Sequence, residues 1–340
     1  MSLIPYLHRA VRREDLDAAA AQEAMEAILS GQASTAQIAA FLVALRMKGE
    51  TAGELIGFAR AMRARSTQVL PGLDGGPLLD TCGTGGDAQG TFNISTIAAF
   101  VVAGAGVRVA KHGNRSISSR CGSADVLERL GVRVAVEAEQ AARAIREVGI
   151  GFLFAPAFHP AMKHAHAARL ELKMRTIFNL LGPLTNPAGA TAQLAGAPSE
   201  EAAGLMAEAL AALGLARGFV VHGSDGLDEI TTTGPTLAYE IAKGKVTRRT
   251  LTPEEFGVGR APLEALKGGD PEENSEIARA ILAGSGGPKR DVVLVNAAAA
   301  LVVAERARDF GEGMAVAAES IETGAARRKL DELATFTREG

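Results

Sequence analysis

Between Leu78 and Thr96 the chain reads LLDTCGTGGDAQGTFNIST: a short apolar run, glycines at 83, 85 and 86, Asp87, then a polar helix start. Glycines this dense let successive backbone N–H groups point into one concavity, and such a nest binds anions, phosphates above all. Asp87 refines that expectation, because a fixed carboxylate beside a bound pyrophosphate is repulsive unless a cation lies between them. Mg2+ suits the role, since it takes one or two carboxylates together with the oxygens of substrate phosphates. The loop therefore predicts a site for a metal-complexed polyphosphate ester. Two better-known phosphate loops fit less well. Gly83 to Ala88 formally satisfies G-x-G-x-x-G/A, but the next expected strand, Val107 to Ala110, ends in Lys111 and not in the acidic residue of a dinucleotide site. Nor is there a Gly-Lys-Ser/Thr for a Walker loop. A purely structural glycine turn is the plain alternative.

Further chemistry-bearing residues cluster in three places. Asn93, Ser95 and Thr96 open a helix directly after the loop, adding free N–H groups, hydroxyls and the positive end of a helix dipole. The run Lys111 to Asp125, KHGNRSISSRCGSAD, interleaves cations with Gly and Ser as a backbone wrapping a ligand would. In open α/β sheets ligands bind beyond the carboxyl ends of the strands, where this run and the glycine loop are both expected. Asp228 and Glu229, adjacent on a loop after another expected strand, can share hydrated Mg2+, and Asp225 is a possible third acid. His159, His164 and His166 do not make a zinc set, because the last two face different ways on a helix and no acid or thiol completes them. Arg169 and Arg175 follow, and a planar guanidinium suits a carboxylate.

These residues need a scaffold, and its outline is legible. The first seventy residues look all-helical: Asp17 to Ser30 is Ala-rich, while Ser34-Thr-Ala-Gln37 and Thr51-Ala-Gly-Glu54 are capping-box patterns. Pro71 to Pro77 is rich in chain breakers, hence an expected hinge. From Pro77 strands alternate with helices: strands are expected at Leu78–Thr81, Val107–Ala110, Val132–Val136, Gly151–Ala155, Ala192–Leu194, Phe219–His222 and Val292–Leu294, with a hairpin at Lys243-Gly244. Such alternation implies a mostly parallel sheet covered by helices on both faces. Between Pro156 and Pro187 the rhythm breaks, as if the chain returns to the helical part. The expected division is a helical domain, 1–70 with a returning segment at about 160–187, and an α/β domain of 77–155 and 190–340.

Composition excludes little but usefully. With 36 basic and 39 acidic residues and a formal charge of −3, nothing points to nucleic acid or membrane as an obligatory partner. The N-terminus lacks the apolar stretch of a signal peptide and the longest apolar run, Val292 to Ala304, is too short to span a bilayer, so a cytoplasmic location is expected. Cys82 and Cys121 are too few for a disulfide framework.

Taken in order, GTGGD, FNIST, KHGNRS, GSADVLE, RTIFNLLGPLTNP and GSDGLDE strongly resemble the anthranilate phosphoribosyltransferases, over nearly the whole chain. The resemblance implies Mg2+-dependent transfer of phosphoribose from phosphoribosyl pyrophosphate (PRPP) to the amine of anthranilate, an early step of tryptophan synthesis. It also implies a small α-domain hinged to a large α/β domain, as in the pyrimidine nucleoside phosphorylases, and a homodimer joined through the helical domains. By motif, Gly83, Gly86, Asp87, Thr91, Asn93, Ser95, Thr96, Lys111 and Ser123 resemble PRPP contacts. Lys111 would act electrostatically, with no acid/base pair. Ser95, Asp228 and Glu229 resemble metal-site residues. Gly83, Asn114, Arg169, His112, Gly182 and Pro183 resemble the anthranilate side. Cys121 departs from the family's serine, a near-isosteric change. A pyrimidine nucleoside phosphorylase would instead read KHSTGG-like at its phosphate loop, and a nucleic-acid-binding relative would carry a basic groove and lose the anthranilate-side motifs. A helical scaffold protein would leave the loops unexplained.

Overall fold

The structure, a computed structural model, describes residues 2–73, 75–86, 89–116 and 120–339. Four helices open the chain: α1 (Ile4–Val11), α2 (Ala18–Leu29), α3 (Thr35–Lys48) and α4 (Ala52–Ala64). Ser34 with Gln37 and Thr51 with Glu54 form the two capping boxes, each satisfying donors that a helix start leaves bare. Helix α1 was not singled out by the sequence pattern. The connection to the next element is irregular, pinned by Thr67 N–H to Phe158 O (2.8 Å) and Val69 N–H to Pro187 O (3.0 Å).

The remainder alternates as expected at first: β1 (Leu78–Asp80), α5 (Ile94–Gly104), β2 (Arg108–Gly113), α6 (Ser123–Arg129), α7 (Ala138–Arg143) and β3 (Ile150–Phe154). Three short helices, α8 (Ala155–Phe158), α9 (Lys163–Leu172) and α10 (Phe178–Leu181), then interrupt the rhythm. It resumes with β4 (Ala192–Gly196), α11 (Glu200–Ala212), β5 (Arg217–Gly223), β6 (Thr236–Ala242) and β7 (Lys245–Leu251). Helices α12 (Pro271–Leu282), α13 (Pro288–Val303), α14 (Phe310–Glu322) and α15 (Ala325–Glu339) close the chain. Among the described residues one seven-stranded sheet runs β3-β2-β1-β4-β5-β6-β7. Strands β3 to β5 in that order are parallel and β6 and β7 add an antiparallel hairpin edge.

Two expected strands fail. Val132 to Val136 is extended and buries Val132, Val134 and Val136, but it joins no ladder among the described residues: its alternation serves packing, under α15 for the first two and beside α7 for the third. Val292–Leu294 lies inside the helix α13, because a fully buried helix and a buried strand look alike in hydropathy.

The two large cores lie on opposite faces of the sheet. One gathers α5 and α12 to α15. The other joins the N-terminal helices to α9, α10, α11 and the outer face of β4 to β6, so Ala165, Ala168, Phe178 and Leu181 complete a core begun by Phe41 and Phe58. The segment bearing Arg169 is thereby fixed to the helical bundle, and the loops after β1, β2 and β5 are fixed to the sheet.

Candidate active site

The described candidate residues from the glycine loop, the α5 start, the β2 loop, α9, the turn at Gly182 and the β5 loop line one cleft of about 290 Å3. It includes Gly83, Gly86, Thr91, Asn93, Ser95, Thr96, Lys111, His112, Asn114, Ser123, Arg169, Gly182, Pro183, Asp228 and Glu229. Asp87 lies outside the described residues. The sheet order accounts for the convergence: after β3 the chain crosses back to place β4 on the other side of β1, so loops diverge around β1 and leave a crevice at its carboxyl end.

On the sheet side the loop after β1 is shaped by close approach. A Cβ on Gly83 would meet Asp228 Oδ2 at 2.6 Å, and Gly85 and Gly86 have φ of +65° and +68°, a region that favours glycine. Gly85 N–H donates to Asp228 Oδ2 at 2.7 Å, and Ser95 N–H, at the first turn of α5, donates to Glu229 Oε1 at 3.1 Å. The two acids thus sit against the backbone donors that the sequence assigns to anions. Burial pushes the Asp228 carboxyl above its usual range, opposed by the Gly85 N–H and the Arg175 guanidinium. Burial, then the charge of Asp228, pushes Glu229 up to about 8, with Lys111 pulling the other way. A pair of carboxylates held this close in a buried place invites a cation. The loop that carries them is tied down from behind by Asn296 of α13. Its Oδ1 accepts from Ile230 N–H (3.0 Å), and its Nδ2 donates to Ile230 O (2.8 Å) and Val292 O (2.9 Å). Asn296 escaped the sequence reading, although a lone amide inside the apolar run Val292 to Ala304 is a signal in itself. Asp225 does not join the acids: it accepts from Leu227 N–H and from the hydroxyls of Thr231 and Thr233, and so builds the turn.

Lys111 on β2 is buried at the cleft floor, donating to Thr81 O (2.8 Å) and reaching Ser95 Oγ (3.4 Å). Beside it Asp80, buried and pushed up to about 6 by burial against the pull of Lys111, accepts from His112 N–H and Asn186 Nδ2. Asn93 accepts from Asn274 Nδ2 at 3.1 Å, a contact from α12 that fixes which way its amide faces. Ser123 Oγ donates to Asn114 O, shaping the β2 loop, whereas Arg115 turns outward to Asp125 and Glu128.

The helical side has a different character. The Arg169 guanidinium lies over the Phe178 ring, 5.2 Å from its centroid, and burial pushes it below its ordinary value. No carboxylate pairs with it among the described residues. His112 Nδ1 lies 3.0 Å from Gly182 O, and burial drives this histidine down to about 3. His159, whose ring centroid is 5.2 Å from that of His112, is driven down to about 4 by burial, so both are neutral near pH 7. Gln193 Nε2 donates to Pro183 O at 2.7 Å, and Arg63 Nε to Leu184 O at 2.7 Å, which hold the Gly182 turn from two sides.

Residues 4–66 match the helical bundle domain of a glycosyl transferase family, and residues 75–327 match the a/b domain of a glycosyl transferase family. A helical bundle joined to an α/β domain, with a phosphate-type loop and an acidic pair in the cleft between them, defines a glycosyl transferase of this two-domain class. Within that class, an anthranilate phosphoribosyltransferase of Solibacter usitatus is 68% identical, covering 99% of this chain and 99% of its own length. The crystal structure of anthranilate phosphoribosyltransferase from Thermus thermophilus superposes with a TM-score of 0.92 at 48% identity, covering 98% of this chain and 99% of that one. The Saccharomyces cerevisiae enzyme in complex with PRPP and Mg has a TM-score of 0.90 at 30% identity, covering 99% of this chain and 98% of that one. The chain belongs to the anthranilate phosphoribosyltransferase family.

Proposed function

We propose that this chain transfers the 5-phosphoribosyl group of PRPP to the amine of anthranilate with Mg2+, releasing pyrophosphate, as in tryptophan synthesis. The observation that carries the assignment is the contrast between the two walls of one cleft. The sheet wall carries a glycine loop and a helix start closed on two buried acids, Gly85 N–H on Asp228 and Ser95 N–H on Glu229. The helical wall offers a guanidinium stacked on an aromatic ring, suited to an aryl carboxylate.

Gly83, Gly86, Thr91, Asn93, Ser95, Thr96, Lys111 and Ser123 are assigned to PRPP, and Asn114, Arg169, His112, Gly182 and Pro183, with Gly83, to anthranilate. Asp228, Glu229 and Ser95 would hold Mg2+, and two acids suffice because Mg2+ draws its other ligands from substrate phosphates and water. When bound, the metal offsets charge that builds on the leaving pyrophosphate. The chain does the rest by placement. Lys111 fixes a positive charge under the phosphoribosyl site, the glycine loop and the start of α5 line the side of the cleft assigned to the leaving group, and His112 stays neutral, adding no charge beside the amine. An aryl amine is already unprotonated near pH 7, so no strong base is needed.

The helical domain, 1–70 with 160–187, would close on the α/β domain, 77–155 with 190–340. Exposed Ile4, Val11 and Met47 on α1 and α3 support a homodimer through the helical domains. Among the described residues no helix is long and apolar enough to cross a membrane, in keeping with a cytoplasmic enzyme. The test is PRPP-dependent loss of anthranilate fluorescence with and without Mg2+: no loss in the complete mixture overturns the assignment.

A further inference from the structure

Arg175 reaches from one wall of the cleft to the other. Helix α9 ends at Leu172, and the left-handed backbone of Lys173 after it (φ +46°) reverses the chain and brings Arg175 back toward the glycine loop. Its Nη2 donates to Gly85 O at 3.0 Å and its Nη1 donates to Gly86 O. The guanidinium that the sequence singled out as suited to a carboxylate thus also grips two carbonyls. In a trans peptide the carbonyl and the following N–H point opposite ways, so with Gly85 O turned to Arg175, the Gly86 N–H is turned away from it. Gly85 N–H is held in turn by Asp228, so this stretch of loop is fixed from both sides. The other end of the same segment belongs to the helical wall. Thr176 N–H donates to Asn179 Oδ1 at 3.0 Å to open α10, and α10 carries the Phe178 ring on which Arg169 stacks.

We propose that Arg175 is a positioning residue for both substrates: its guanidinium fork holds the Gly85 and Gly86 carbonyls so that the Gly86 N–H meets pyrophosphate, and it ties the Arg169–Phe178 segment to that loop. The proposal rests on the assignment of the two walls above. It makes occupation of the phosphate side tighten the carboxylate side. A lysine cannot substitute, because a single ammonium on a flexible stem lacks the planar fork.

Calorimetry on the wild type, Arg175→Met and Arg175→Lys tests it, titrating PRPP with Mg2+, and anthranilate with and without inorganic pyrophosphate and Mg2+, beside melting curves. The Met variant is expected to bind PRPP about tenfold more weakly and to lose any effect of pyrophosphate on anthranilate affinity, with KM rising more than kcat falls. The Lys variant is expected to share the loss of coupling while melting within a few degrees of wild type. Unchanged PRPP affinity in either folded variant overturns the proposal, and so does coupling that survives in the Lys variant, which also decides the matter should the Met variant not fold. Failure of the wild type to bind PRPP at all would overturn the assignment of the cleft instead.

Discussion

Arg169→Ala should weaken use of anthranilate by about ten- to a hundredfold and leave PRPP almost untouched. The guanidinium stacks on Phe178 at 5.2 Å and is partly stripped of water without a carboxylate among the described residues to repay it. An arriving aryl carboxylate supplies that partner. A hydrogen bond to a charged group is worth roughly 1.5–3 kcal/mol, and about 1.4 kcal/mol is a factor of ten in affinity, which sets the range. What the fold itself loses is the cation–π contact, about 0.5–1 kcal/mol, or a melting shift of no more than about 4 °C for a chain of this size. Steady-state kinetics by anthranilate fluorescence, varying each substrate in turn, read the two effects apart. An equal rise in both KM values, or a rise for PRPP alone, would refute the reasoning.

Three other perturbations follow from the same geometry. Asp228→Asn combined with Glu229→Gln should cut activity severely and raise the Mg2+ requirement, while the metal-free protein melts no lower than wild type, since a coupled acid pair whose anionic form burial disfavours is replaced by neutral amides. Unaltered Mg2+ dependence would rule out these acids as ligands. Asn296→Leu should strand the Ile230 N–H and C=O, at about 1–3 kcal/mol for each unsatisfied group, and raise the Mg2+ concentration needed for half-maximal rate. A lowered melting temperature with unchanged Mg2+ dependence would separate stability from positioning. For pH, His112 and His159 have folded pKa values depressed to about 3 and about 4, so the unfolded chain binds more protons below its ordinary histidine value of about 6.5. Their stabilisation is whole above pH ~6.5 and is lost on acidification toward pH ~4, on the order of 1 kcal/mol per histidine per pH unit. Asp80, raised to about 6, works the other way between pH ~4 and ~6. Denaturant melts of wild type and His159→Gln should therefore differ most in slope between pH ~4 and ~6, the variant gaining about 1.4 kcal/mol less per unit rise in pH; parallel curves would contradict the burial argument.

Local chemistry was legible where the backbone itself is the ligand. Dense glycines, helix caps and adjacent acids are written in sequence, and the loops they form line one cleft with Arg169 opposite. What the sequence hid are choices made by tertiary packing. The Val132–Val136 alternation marks three buried valines without saying whether a neighbouring strand will pair with them. The run around Val292 is buried on every side, which erases the periodicity that distinguishes helix from strand, though its length favours a helix. The contacts of Arg175 and Asn296 were hidden for a further reason. Apart from the Val292 carbonyl one turn before Asn296, their partners are backbone carbonyls and amides 66 to 90 positions away, and residue types carry no trace of such contacts.

The core shared by α1 to α4 and by Ala165, Phe178 and Leu181 has a temporal side. On the ribosome the N-terminal helices emerge with that apolar face bare, and the residues that cover it are made only after β1 to β3. At roughly 5–20 residues per second, the wait is on the order of 5–20 s. During that interval the nascent helices expose a surface suited to a chaperone, and their core is closed only when the returning segment and then α11 have been made.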